Sequence, residues 1–378
     1  MRLAGAPTPA AVLDRGKLKA NCERMIARAR SMGVRLRPHM KTLKSAEVAK
    51  LAVDPLHGGV AASTLNEAEY WAGHGYDDIQ YAVCASPDKL PRIADLMRRA
   101  SRLSFFLDSV EAAQAAADFA REYGVPLRAW IELDCGGRRT GVAADDRAAL
   151  LEIGRLLDDS PVVFEGVATH AGQSYADHPI EAIAAVAETE RAVVAGAAQA
   201  LREAGIETRG VSAGSTPTAT HGHSAEGLTE WRAGVYMAGD LYQASIGSQS
   251  MDDMALSVLA TVIAHDRARN QITVDAGGLA LSKDRSTSSL AERDFGYGLV
   301  ADISGRRAFG RLCIVETHQE HGIMRSPEPV PFEALPLGAR VRIFPNHACM
   351  TAAAYDGYLV TDGGEEIVDR WGRTNGWS

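Results

Sequence analysis

The first 236 residues carry an eightfold alternation, and few folds can accommodate it. Short apolar runs rich in Val, Ile and Phe are separated by longer Ala-, Leu- and Arg-rich stretches of helical period. The runs are VRLRP (34–38), GGVAAS (58–63), IQYAVC (79–84), LSFFLD (103–108), RAWIELD (128–134), FEGVATH (164–170), RGVSAGS (209–215) and TEWRAGVY (229–236). Helical stretches fall at 17–32, 45–53, 65–74, 87–99, 109–123, 145–158 and 179–204, and only the 215–229 link reads as a loop. Eight strands alternating with helices predict an α/β protein built on a closed parallel (β/α)8 TIM-like barrel. An open doubly wound sheet is the second choice, but no G-x-G-x-x-G follows the first strand.

From about residue 254 the rhythm changes. ALSVLATVIAHD, QITVDAGG, RLCIVETHQEHG, ARVRIFPNH, DGYLVTDG and EEIVDRW are separated by Gly, Asp and Asn turns with little helical pattern. They predict a mostly antiparallel β domain. The expected division is therefore a barrel over 10–245 and a β domain made of 1–9 and 246–378. A chain of 378 residues is long enough for two such parts. The formal charge of −8 is spread without a Lys/Arg block, which argues against a nucleic-acid partner. No apolar run is long enough to span a bilayer, and the N-terminal MRLAGAPTPAAVLD lacks a signal-peptide core. Five cysteines at irregular spacing suit reduced thiols in a cytoplasm.

Barrels of this kind place chemistry at the C-terminal ends of their strands. Strand one leads into His39 and Lys41, and strand four ends at Asp108. Strand five leads into Asp134, Arg138 and Arg139, and strand six ends at His170 with Tyr175 beyond it. SAGSTPT (212–218) offers the hydroxyls of Ser215 and Thr216 and backbone N–H groups to an anion, while Gly234 permits close backbone approach. A plain loop of turn residues is the alternative. Lys41 is the rim lysine flanked by a histidine, and partial desolvation would make it a nucleophile toward aldehydes. A surface lysine paired with Glu47 is the alternative there. A lysine and a phosphate cup in one barrel imply pyridoxal 5′-phosphate held as a Schiff base.

Near the C-terminus, RIFPNHACMTAAA (342–354) places His347 and Cys349 two residues apart after a strand-like run. On extended backbone that spacing points both side chains one way, which suits two ligands of a borderline metal such as zinc. An ordinary packed pair is the alternative. His57, His74, His178, His221, His223 and His265 read as surface or capping residues. Cys22, Cys84, Cys135 and Cys313 read as small buried hydrophobes, and Asp134 as the residue shaping the turn after strand five.

Jointly, RPHMKTLKS, DCGGRRTG, THAGQSY, SAGSTPT, RAGVYMAGD, QEHG and PNHAC resemble the fold-type III, alanine-racemase-like pyridoxal-phosphate enzymes. Within them the chain is most similar to the group of D-serine dehydratase, D-threo-3-hydroxyaspartate dehydratase and D-threonine aldolase. The resemblance implies that Lys41 carries the cofactor and that Arg139 lies near its phenolic oxygen. His170 and Tyr175 would flank the ring, and Ser215, Thr216, Gly234 and Val235 would hold the phosphate. Arg232 stands where racemases keep an arginine toward the pyridine nitrogen. His347 and Cys349 match the zinc ligands of the dehydratases, with another divalent metal such as manganese as the alternative. Glu320 and His321 would line the pocket.

The implied activity is a metal-dependent dehydratase, a lyase turning a 3-hydroxy D-amino acid into a 2-oxo acid and ammonia. D-threo-3-hydroxyaspartate or D-serine would be the substrate, with the arginines and Lys44 available to a second carboxylate. The alternative is aldol cleavage to glycine and an aldehyde with His170 as base. Racemisation comes third, and a catalytically silent carrier of the cofactor fourth. The resemblance also implies a homodimer.

Overall fold

The computed structural model describes residues 1–176, 179–290 and 293–377, so His178 lies outside the described residues. The chain divides into two compact units. One comprises Arg24–Lys41 and Ala49–Gly234 with Gly376 and Trp377; the other comprises Met1–Glu23, Thr42–Val48 and Val235–Asn375.

The first of these units holds the barrel. Its strands are Arg35–Pro38, Val60–Ala62, Ile79–Cys84, Ser104–Leu107, Arg128–Asp134, Val163–Thr169, Gly210–Ala213 and Glu230–Ala233. Neighbours pair in parallel around the sheet, and the eighth strand returns to the first with Glu230 opposite Arg35 and Ala233 opposite Pro38. A bridge between His39 and Ala61 closes the ring. The eight strands expected from the sequence all form. Parallel strands covered by helices are apolar on both faces, which is why these runs read as Val, Ile, Ala and Phe without strict alternation.

Helix starts follow local chemistry. The side chains of Thr64, Ser109 and Asp146 accept from the N–H groups of Glu67, Ala112 and Ala149, supplying N-caps where the sequence changes period. The 215–229 link differs from expectation: it contains a helix, Thr216–His221, opened by a capping box between Ser215 and Thr218. Six residues are too few to show a helical stripe, so only the cap betrayed it.

The other unit is built on nine strands. Six of them, Leu256–Asp266, Gln271–Val274, Gly322–Arg325, Cys313–Thr317, Leu299–Asp302 and Arg340–Phe344, pair antiparallel in a closed ring. Their inward residues, among them Val258, Ile272, Val274, Val300, Ile314, Met324, Val341 and Ile343, form its core. Leu299–Asp302 is a strand the sequence reading passed over, four residues long behind two positive-φ glycines. Ala10–Asp14 pairs here as well, antiparallel with Leu256–Asp266 and parallel with Gly357–Thr361. Residues 10–14 therefore belong to this sheet, although the reading above counted 10–245 with the barrel. Among the described residues no helix is long and apolar enough to cross a membrane.

Candidate active site

At the C-terminal ends of the barrel strands, five basic side chains converge: His39, Lys41, Arg139, His170 and Arg232. Burial first, then the charges of Lys41, Arg232 and Arg139, keep the His39 imidazole well below its ordinary range. Burial and Lys41 likewise hold His170 down to about 3. His170 is half-buried, and its Nδ1 lies 3.1 Å from the Gly214 carbonyl. A carbonyl only accepts, so Nδ1 carries the proton and Nε2 keeps its lone pair.

Arg232 is buried, with its guanidinium over the Phe106 ring at 5.2 Å. It donates to Ser212 Oγ and, at 2.6 Å, to the Thr169 carbonyl. Lys41 and Arg139 are exposed, Arg139 on the loop after strand five. That loop is shaped as expected by Asp134, whose Oδ1 accepts from Gly136 N at 2.8 Å and Arg138 N at 3.1 Å. Asp108 ties its far end to strand four by accepting from Gly141 N at 2.9 Å.

The two loops expected to frame a cofactor also meet. The Thr216 N–H points to the Tyr175 hydroxyl at 3.4 Å, and the Tyr175 and His170 ring centres are 6.2 Å apart. Ser215 caps the helix that opens the second of these loops. Its hydroxyl is engaged by Ser174 at 2.9 Å and by the Thr218 N–H at 3.2 Å, so it shapes the loop from inside. Gly234 is required because a Cβ there would sit 2.5 Å from the His39 carbonyl oxygen. Gly214, at φ +117°, would bring a Cβ to 3.1 Å from the Arg232 backbone. Val235 begins a short turn, Val235–Met237, in the other unit.

These residues fit an anionic aromatic cofactor. Lys41, Arg139 and Arg232 are basic side chains beside two imidazoles held below their ordinary range, and among the described residues His39 Nδ1 is a buried polar atom without a hydrogen-bond partner. Such a cluster is costly without an anion to balance it.

In the other unit His347 is the residue before a short helix, Ala348–Ala352, and Cys349 lies in that helix's first turn. The strand ends at Phe344, so the pair shares a side through a helix start and not through strand alternation. Cys349 Sγ is 3.1 Å from Thr42 Oγ1. His347 Nδ1 meets Asp284 Oδ2 at 3.0 Å. Burial opposes protonation of His347, but Asp284, the Cys349 thiol and Asp240 together raise it to about 10. The hydrogen bond from His347 lowers Asp284 to about 2. Asp240 is buried, which pushes it up to about 6. Its oxygens accept from Gln243 N and Ala348 N, holding the helix start in place.

With Nδ1 committed to Asp284, Nε2 is the metal-facing nitrogen, and an imidazole with a thiol is a zinc-type donor pair. Among the described residues no group of three or more His, Cys, Asp or Glu converges. Two protein donors are one fewer than catalytic zinc sites usually supply, so water or substrate would complete the shell of a metal held here.

Comparison with known proteins places this geometry. Residues 13–242 match the alanine racemase N-terminal domain, and residues 255–361 match a serine dehydratase domain. The chain belongs to the alanine-racemase-like pyridoxal-phosphate enzymes. It is 46% identical to D-threo-3-hydroxyaspartate dehydratase of Delftia sp. (strain HT23) over 376 residues, 98% of each chain. It is 29% identical to D-serine dehydratase of Dictyostelium discoideum, covering 98% of this chain and 97% of that one. A solved structure of a cysteine-to-alanine variant of D-threo-3-hydroxyaspartate dehydratase, in the metal-free form, superposes with a TM-score of 0.95 at 44% identity over the whole of both chains.

Two residues beside these groups, Asp284 and Glu190, had no motif to announce them, while Asp240 closes the RAGVYMAGD motif without having been singled out. Glu190 alone left a signal. In the helix Ile180–Glu203 the buried positions Ile183, Ala187, Glu190, Val194, Ala197 and Leu201 form one inward stripe, and a carboxylate interrupts it.

Proposed function

We propose that this protein is a pyridoxal-phosphate- and divalent-metal-dependent dehydratase acting on 3-hydroxy D-amino acids. D-threo-3-hydroxyaspartate would be the first substrate and D-serine the second, each giving a 2-oxo acid and ammonia. The observation that carries the reading is one of chain continuity: Lys41 is joined by a peptide bond to Thr42, whose hydroxyl meets the Cys349 thiol. Likeness along the full length to D-threo-3-hydroxyaspartate dehydratase supports the same reading.

Pyridoxal phosphate supplies an electron sink for the α-carbon, and a divalent metal supplies a Lewis acid for the β-hydroxyl. Lys41 Nζ would hold the cofactor, and it is the group that would take the α-proton. Arg139 and Arg232 stabilise negative charge at the barrel rim, while neutral His170 faces the ring with Nε2. Thr216 and the backbone around Gly234 receive the phosphate, with Ser215 fixing their loop from behind. His347 through Nε2 and Cys349 through its sulfur hold the metal. Zinc is the first choice for an imidazole–thiol pair, and manganese the second. Five free cysteines support residence in a reducing cytoplasm, and the family resemblance supports a homodimer.

Aldol cleavage requires a base for the β-hydroxyl proton. His170, the candidate, is held down to about 3 with one nitrogen committed to Gly214, which favours dehydration. The deciding experiment incubates cofactor- and metal-loaded protein with D-threo-3-hydroxyaspartate, D-serine and D-threonine. Ammonia with a 2-oxo acid is the expected product, and glycine with an aldehyde would replace this reading by the aldolase one. Lys41→Ala should lose the visible absorbance of the tethered cofactor.

A further inference from the structure

Glu190 stands out on the long helix Ile180–Glu203 because its side chain is a carboxylate, 3% exposed, in an otherwise apolar inward stripe. Burying a carboxylate is unfavourable unless every lone pair is used. Its Oε1 accepts from the Ala171 N–H at 2.8 Å, the residue after His170. Burial raises this carboxyl above its ordinary range, while the neighbouring Gly214 and Thr218 and the Arg232 charge favour its charged form. Gly214 in turn receives His170 Nδ1 on its carbonyl, and Thr218 closes the capping box with Ser215. Both loops that border the basic cluster therefore rest on this one carboxylate. The loops follow different strands and also meet directly, Ser174 with Ser215 and Tyr175 with Thr216.

We infer that Glu190 is a positioning residue: through Ala171, Gly214 and Thr218 it sets the orientation of the His170 ring and the shape of the Ser215–Thr216 loop. It thereby controls how tightly and in what geometry pyridoxal phosphate is held. The inference rests on the reading that these loops receive the cofactor. A carboxylate does this where an amide cannot. It accepts on both oxygens, whereas glutamine turns one of them into a donor facing N–H and O–H groups that must themselves donate.

The test compares wild type, Glu190→Gln and Glu190→Ala as cofactor-free proteins titrated with pyridoxal phosphate. Bound-cofactor absorbance, dissociation constant and cofactor-free melting temperature are read for each. Glu190→Gln is expected to melt close to wild type, yet to bind the cofactor about tenfold more weakly with a shifted absorbance band. Glu190→Ala is expected to be weaker still; if it does not fold, Glu190→Gln decides alone. Wild-type affinity and an unshifted band in Glu190→Gln would overturn the inference, as would a fall in melting temperature with affinity unchanged. A wild-type protein that develops no visible band would instead overturn the cofactor reading itself.

Discussion

His170 is neutral because it is crowded. Burial and the fixed charges of Lys41 and Arg139 hold it down to about 3, against an ordinary value of 6.5. As pH falls below 6.5, the unfolded chain takes up a proton that the fold refuses until about 3. His170 therefore contributes stability that is present above 6.5 and lost progressively on acidification. Melting temperatures of the cofactor-free protein between pH 7.5 and 4.5 should fall, and His170→Gln should flatten that slope. An unchanged slope would mean that His170 is already protonated in the fold. Asp284 acts on the other reactive imidazole. Asp284→Asn leaves an acceptor for His347 but removes its charge, so affinity for added zinc or manganese should drop tenfold or more in a metal titration. Equal affinity would show that His347 needs no orienting partner. Lys41, His170, His347 and Cys349 could be proposed from the sequence because each sits in a local motif. Asp284 and Glu190 were not, since they reach their partners across 63 and 19 residues respectively.

Among the elements, the fifth, sixth and seventh barrel strands pack through missing side chains. A Cβ on Gly210 would lie 2.3 Å from the Trp130 ring, and one on Gly166 would lie 1.9 Å from the Gly210 carbonyl. The Trp130 indole is fixed in turn by donating to Ser104 Oγ at 3.0 Å. Gly210→Ala should therefore destabilise the barrel by about 1–3 kcal/mol or more, as overpacking does, read from urea unfolding. A neutral substitution would show that the indole can move aside. All eight barrel strands and seven helices were legible from period alone. Thr216–His221 and Leu299–Asp302 were not, because four to six residues hold too little pattern to separate an element from a turn.

At the scale of the whole barrel, ionic contacts around Glu230 hold the ring together. Glu230, on strand eight, accepts from Arg37 at 3.1 Å and pairs with Arg35 at 2.6 Å, both on strand one. It also receives Ser212 from strand seven and Gln80 from strand three, while Arg37 grips Asp78 at 2.6 Å. Burial would raise the Glu230 carboxyl, but Arg37 and Arg35 overcome it and lower it to about 2. Its stabilising effect is complete above its unfolded value of 4.5 and disappears as pH falls toward 2. Glu230→Gln leaves Arg37 with one partner fewer in the interior and should cost about 3–5 kcal/mol at neutral pH. Calorimetry showing less than about 1 kcal/mol would mean that Asp78 alone satisfies Arg37.

The alternation of the barrel strands with seven helices, the closed barrel and the mostly antiparallel second unit followed from the sequence by itself. Hydrophobic period and turn residues act over a few neighbours, and they are written wherever they act. The residues that hold the chemistry in place were decided by tertiary structure alone. The charge that keeps His170 neutral, the carboxylate that aims His347 and the one that supports two loops at once all come from distant parts of the chain. Electrostatic and hydrogen-bond energies depend on distance in space, and only the fold sets those distances.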